Sequence, residues 1–257
     1  MKKQYSRFGA RLFWVAVLLA IWELSVKIFK VSPLLFPSVE NVIMTLWESF
    51  TTGDLLSQSL YSVGIIGLGL IIALVLAFVL ALLSVQSHVA GSLIDTITAI
   101  AHPLPGLALL PLIIMWFGTG SGAVLAIIVH SALWPILLNL ITGFEAVPAI
   151  YLDTGRSLSM KPFAITCEIM VRSAAGYALS GAKIGWARAW RALISAEMAF
   201  GAVGVNGGIG WYILKQRTFM NTSGLFAGIV VVIVLGILVE DVLFASIEKH
   251  TTEKWGM

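Results

Sequence analysis

An apolar stretch from Tyr177 to Phe200 carries Lys183, Arg188, Arg191 and Glu197. Ionisable side chains are expensive there, since a basic residue at a bilayer centre costs roughly 2.5–3.5 kcal/mol on insertion scales. Several of them cannot face lipid together. Lys183 can sit near an interface and extend its ammonium to water along the alkyl stem. Arg188 and Arg191 stand three apart, so a helix places them on one face. Their chemistry is oxyanion recognition, because a guanidinium offers a planar fork of donors that matches carboxylate, sulfonate or nitrate oxygens. Glu197 lies six positions beyond Arg191 and faces another direction, toward a different helix. Two readings stand side by side. Arg188, Arg191 and Glu197 line a translocation pathway, or the charges form an internal ion-pair network with Glu23, Glu240 or Asp241.

The other reactive residue types give less. His88, His102, His130 and His250 are scattered without metal-ligand spacing. His130 lies in an apolar stretch, where a hydrogen-bonded packing role competes with a proton relay. A single cysteine, Cys167, excludes an internal disulfide framework and any multi-cysteine metal site; it reads as a packing residue. The run GAVGVNGGIG at 201–210 has no strand before it and no P-loop lysine after it, so it reads as a flexible re-entrant or gating loop. Gly181 and Gly185 form a G-x-x-x-G that permits close helix approach, a candidate interface between two copies of the chain.

The elements that must position these groups follow from composition. The chain has 257 residues, of which 59% are hydrophobic and 11% charged. Soluble domains average about 25% charged residues. This composition and a mean hydropathy of +0.97 place the chain in the lipid bilayer. The net charge of +3 is loop charge that orients a membrane protein, not a nucleic-acid footprint. Six segments approach the roughly 20 apolar residues that a helical crossing needs. They are about Leu12–Phe29, Ser62–Leu83, Leu93–Phe117, Ala123–Ile141, Tyr177–Phe200 and Gly224–Ala245. The first is too long for a signal-peptide core and lacks a cleavage site, so it reads as an uncleaved span. Pro103, Pro105 and Pro111 interrupt the third, which should be kinked or broken. The expected fold is all-α, one transmembrane domain over 1–257, with about six helices.

Lys/Arg asymmetry then sets orientation. With the N-terminus inside, nine basic residues fall on the cytosolic side and four outside. Both ends are therefore expected in the cytosol. Between the first two spans, Val39, Val42, Ile43, Leu46 and Trp47 repeat at helical spacing behind Ser38, which suits an N-cap. That helix should lay its apolar face on the membrane surface or the bundle.

A polar segment from Glu145 to Arg172 separates the fourth and fifth spans. Pro148 suits the first turn of a short helix reaching about Leu158, and Pro162 can open a second. Ser159, Met160 and Lys161 form the turn between them. Ile150, Tyr151, Leu158 and Met160 give this helix–turn–helix an apolar surface on which a cytosolic partner can dock. Asp153 and Arg156 share a face as a local ion pair. A solvated connector is the plainer alternative.

Asp153-Thr154-Gly155-Arg156 begins a stretch that resembles the cytoplasmic EAA loop of bacterial ABC-importer permeases. Ser159 stands where that loop carries a glycine. The likeness runs through Ser180-Gly181 and Arg188-Ala189-Trp190-Arg191-Ala192-Leu193 to Ala196-Glu197-Met198. Upstream, Pro103-Leu104-Pro105, Leu110-Pro111-Leu112, Trp116-Phe117-Gly118 and Pro135-Ile136-Leu137-Leu138-Asn139 belong to it too. As an ensemble these motifs resemble the sulfonate/taurine/nitrate-type branch. The departures are Asp for Glu at 153, Thr154-Gly155 for two alanines, and Val171-Arg172 for a leucine-proline. Ser159 lacks glycine's freedom at φ > 0, which costs roughly 1 kcal/mol if the turn needs it.

The resemblance implies the membrane-spanning subunit of an importer in the bacterial inner membrane. Its coupling segment would be about 145–176, with Tyr151, Leu152, Asp153, Thr154, Gly155, Arg156, Leu158 and Ser159 against the ATPase. It further implies cytosolic ABC ATPase subunits, an extracytoplasmic solute-binding protein and a second permease copy. ATP and Mg would reside on the ATPase, and this chain would hold no cofactor and do no catalysis. It has no G-x-x-x-x-G-K-[ST] of its own. The alternative is a self-contained secondary transporter using His130 and the charges of span five. A membrane-embedded enzyme finds no metal motif or nucleophile elbow to stand on.

Overall fold

The structure is a computed structural model that describes residues 2–201 and 207–251, except for the side chains of 2–8 and of Leu12. Half of the 201–210 glycine run, residues 202–206, lies outside the described residues, as do Lys254 and the side chains of Lys2, Lys3 and Arg7. Among the described residues the chain is helical and has no strand. In order the helices are α1 (Lys2–Phe29), α2 (Val39–Thr51), α3 (Leu55–Gln86), α4 (His88–Ala101), α5 (Leu110–Phe117) and α6 (Ser121–Glu145). Then come α7 (Ala149–Ser157), α8 (Pro162–Ala164), α9 (Val171–Ser173), α10 (Ala175–Phe200), α11 (Ile209–Thr218), α12 (Thr222–Ile237) and α13 (Ala245–His250). A 3₁₀ turn, Gly106–Leu109, precedes α5, and π-helical turns span Ile165–Met170 and Leu238–Phe244.

Among the described residues four stretches are long and apolar enough to cross a membrane: Gly9–Phe29, Leu55–Gln86, Ser121–Glu145 and Thr222–His250. The expected third span is instead a bent pair, α4 followed by Gly106–Phe117, turned through 90°. Proline explains the break. Pro103 and Pro105 bring no amide hydrogen to the ladder, and α4 stops at Ala101. The expected fifth span, α10, has 26 residues, long enough to cross, but its four charges keep it from qualifying on composition. Length and composition of the described residues therefore give four crossings, or five with the bent pair, against an expectation of about six.

The core lies where α3, α6 and α10 meet. Ile66, Ile128, Ile136, Leu137 and Leu193 are fully buried there. Gly181 and Gly185 face α6 of the same chain: a Cβ at Gly181 would sit 2.9 Å from Asn139 Cβ, and one at Gly185 would sit 3.1 Å from the Ala132 carbonyl. The expected interface between copies is thus an internal seam, because the missing side chains let the α6 and α10 backbones approach.

At one end of the bundle, α2 and α11 are tied together. Ser38 caps α2, its Oγ accepting from the Asn41 amide at 3.3 Å. Tyr212 of α11 hydrogen-bonds Ser49 of α2 at 2.8 Å, and Lys215 pairs with Asp54 at 3.4 Å. Val42 of α2 is buried against the bundle, whereas Ile43, Met44 and Trp47 are exposed. Trp22 of α1 packs with Phe36 and Phe226, and Arg11 pairs with Asp241 at 2.6 Å.

Candidate functional site

Two places could do work: the polar segment after α6 and a cavity at the broken helix. In the first, α7 runs from Ala149, behind Pro148, to Ser157, and Pro162 opens the returning arm. The turn closes as a Schellman cap. The Ser159 amide donates to the Arg156 carbonyl at 2.9 Å, and the Met160 amide donates to the Gly155 carbonyl at 3.0 Å. Ser159 holds φ at +56°, so the strain expected of a serine there is present. Arg156 and Asp153 pair at 2.9 Å on an exposed face. Their mutual value in water is small.

Several apolar residues of this hairpin point outward, but Met160 is half-buried against Gly155 and not on the expected docking surface. Ile150 is 67% exposed, Leu158 71% and Phe163 78%. Tyr151, Asp153, Thr154, Arg156 and Ser159 are exposed, and Leu152 is half-buried. Gly155 is the exception. It is buried, and a Cβ there would sit 2.9 Å from Ile169 Cδ1, so it lets α7 rest on the returning arm. Cys167 is exposed, not the packing residue expected. The π-helical turn at Ile165–Met170 widens the helix at that point and shifts which side chains face inward.

The second place is a cavity of about 560 Å³ beside the break. His102, Gly106, His130, Trp134, Arg188 and Arg191 are among the residues lining it, and no Asp or Glu of the described residues does so. Trp134 Nε1–H donates to His130 Nδ1 at 3.3 Å, which leaves the His130 proton on Nε2. That nitrogen donates to the Leu104 carbonyl at 3.1 Å, satisfying a backbone group freed by the break. Both ring nitrogens of His130 are thereby engaged in packing.

Arg188 Nη1 donates to His102 Nε2 at 2.8 Å, and Arg191 Nε donates to the Ala187 carbonyl at 2.9 Å. Neither arginine forms an ion pair among the described residues. Two of the carboxylates named as partners are engaged elsewhere, Glu23 with Lys27 at 2.9 Å and Asp241 with Arg11. Arg188 and Arg191 thus share one wall, as their spacing requires.

Glu197 is not at that wall. It is fully buried between α3, α10 and α11. Its carboxylate accepts from Ser62 Oγ at 2.7 Å and from the Gly210 amide at 2.9 Å. Ser62 Oγ in turn accepts from the Ile209 amide at 2.9 Å. The carboxyl group therefore meets the N-terminus of α11, where free amides need acceptors. Gly208 and Gly210 leave no room for a Cβ against this group.

Compared with known proteins, residues 65–252 match the family described as binding-protein-dependent transport system inner membrane component. The chain belongs to that family. The permease is 26% identical over 240 residues to a putative aliphatic sulfonates transport permease protein of Bacillus subtilis, covering 93% of this chain and 85% of the relative. It is 25% identical over 231 residues to the taurine transport system permease protein of Escherichia coli (88% and 82% covered). A nitrate import permease protein of Synechococcus elongatus is 26% identical over 207 residues (77% and 72% covered). The permease is thus a multi-pass transport component of the inner membrane, and its all-helical fold agrees.

Sequence reading missed two groups in this permease. His102 was one of four scattered histidines, although its place directly before Pro103 marks it as the end of α4. Ser62 was missed as the partner of Glu197, since 135 residues separate them.

Proposed function

We propose that this permease pairs with a second copy of itself and works with cytosolic ABC ATPase subunits and an extracytoplasmic solute-binding protein. ATP and Mg are held by the ATPase. The 145–176 segment receives the ATPase through Tyr151, Leu158 and their neighbours, and movement there tilts the helices around the broken span. Six crossings put both termini in the cytosol, with α10 as the fifth crossing despite its charges. The solute is a small anion such as a sulfonate, nitrate or carboxylate.

One observation carries the anionic reading. Two guanidiniums face a cavity beside a broken membrane helix, and no carboxylate of the described residues lines it. Both arginines are exposed, and the donors left over from their contacts with His102 and the Ala187 carbonyl suit an oxyanion that comes and goes. The relatives' names, aliphatic sulfonates, taurine and nitrate transport, agree with this chemistry.

The test is reconstitution of the permease with its ATPase and binding protein in liposomes. Taurine, methanesulfonate and nitrate serve as probes. Uptake should require ATP and stop when ATP is withheld. Uptake by the chain alone under a proton or sodium gradient would replace this reading with a secondary transporter.

A further inference from the structure

We infer that His102 is a positioning residue for Arg188: its neutral imidazole accepts one arm of the guanidinium and holds the remaining donors toward the cavity. This rests on the reading of Arg188 as part of an anion pathway. The contact joins residues 86 apart in sequence, from the end of α4 to the middle of α10.

The chemistry fixes the protonation state. A guanidinium has five N–H donors, no acceptor, and a charge it does not lose in proteins. The nitrogen it meets, Nε2 of His102, must therefore offer a lone pair, and the imidazole proton must sit on Nδ1. An imidazolium at this position would face Arg188 with a like charge and no acceptor.

The geometry makes His102 a firm support. Its backbone amide donates to the Thr98 carbonyl at 2.9 Å, closing the last turn of α4. Pro103 follows and fixes the chain's exit. Thr98, one turn back, is buried. The acceptor is thus mounted on the end of a helix, while Arg188 is long and carries much rotamer freedom of its own. One hydrogen bond to Nη1 restricts the guanidinium plane and leaves the other arm and Nε to face a ligand. Arg191 has a different arrangement, since its Nε turns back to its own helix. The two arginines are therefore not equivalent, and Arg188 is the one presented by a second element. A solute carrying an ionised oxyanion gains from a pre-oriented fork, and a cation is repelled by it.

The experiment uses the full-length chain, alone in nanodiscs for spectroscopy and assembled with its ATPase and binding protein for uptake. Nitrogen-15 NMR of labelled histidine, with His102 assigned by its loss in His102→Gln, should show the Nδ1–H tautomer with Nε2 as an acceptor. Arg188→Gln should shift that Nε2 resonance. A His102 found as imidazolium or as the Nε2–H tautomer would overturn the inference, and this arm requires no transport. In the assembled importer, His102→Met removes the acceptor at similar size, and His102→Gln keeps one. With taurine, methanesulfonate and nitrate as probes, uptake should fall about tenfold in His102→Met while ATP hydrolysis and thermal stability stay within twofold and 3 °C or so. His102→Gln should recover to within about threefold of the parent. Arg188→Gln with His102→Met should be no slower than Arg188→Gln alone. His102→Met uptake within twofold of the parent, beside a dead Arg188→Gln, would sink the role of His102 and leave the anion pathway intact. Normal uptake in Arg188→Gln would sink the pathway itself.

Discussion

Glu197 accepts a hydrogen bond from Ser62 at 2.7 Å, deep between α3 and α10, and forms no ion pair among the described residues. The amides at the start of α11 take the place of a counter-ion. What the site needs is an acceptor of the right shape, with the charge itself secondary. Glu197→Gln keeps an acceptor for Ser62 or Gly210 and should change stability by about 1 kcal/mol or less. Glu197→Ala strands the buried Ser62 hydroxyl and the Gly210 amide and should cost more than about 2 kcal/mol. Thermal unfolding in detergent ranks the two, and amide exchange over 209–212 should rise in the alanine variant. Equal losses would show that the charge is essential.

The cavity wall gives a second expectation. With no carboxylate against it, Arg188 leaves no orphaned partner charge when removed. Arg188→Gln should therefore insert, assemble and melt like the parent, while probe-anion uptake falls. A charge-assisted hydrogen bond of about 1.5–3 kcal/mol sets that fall at roughly 10- to 100-fold. Arg188→Lys should recover only part, because an ammonium lacks the planar fork. A variant that breaks apart in detergent would return Arg188 to a structural role.

The hairpin separates packing from docking. Gly155→Trp collides with Ile169 and the returning arm, so it should destabilise the hairpin itself. Leu158→Asp changes only an exposed side chain, and its effect on stability should stay within about 0.5 kcal/mol. It should nonetheless reduce ATPase co-purification by tenfold or more. Undiminished association would move the docking surface elsewhere.

Topology is open to direct labelling. In a Cys167→Ser background, single cysteines at Glu48 and Arg217 should react with impermeant maleimide from outside intact cells. One at Arg156 should react only after permeabilisation. Reaction at 156 from outside would overturn the placement of both termini and of the hairpin.

Much of this arrangement is legible in the residues because it is local. Pro148 and Pro162 bracket the hairpin, Ser38 caps α2, and the prolines after His102 break the third span, each through backbone geometry within a few residues. The partner across a contact is harder to read. The G-x-x-x-G at 181–185 announces close approach and leaves the neighbour open, and it proved to be α6 of the same chain. Gly155 is read as part of a surface motif, yet it is buried, because the fold-back of the returning arm decides what covers it. Of the four charges on α10 only Glu197 is buried in the bundle, while Lys183, Arg188 and Arg191 are exposed, a division that composition alone does not register. His102 and Arg188 illustrate the limit, since nothing near either residue specifies the other.

Cys167 has a practical meaning beyond its failure to pack. It is the sole thiol in the chain and lies open to solvent on the returning arm of the hairpin. A dye or spin label added to the unaltered protein therefore attaches at one known spot, a few residues from the surface assigned to the ATPase. Its emission or line shape reports arrival of the partner in real time, with no engineered residue to disturb what is being watched.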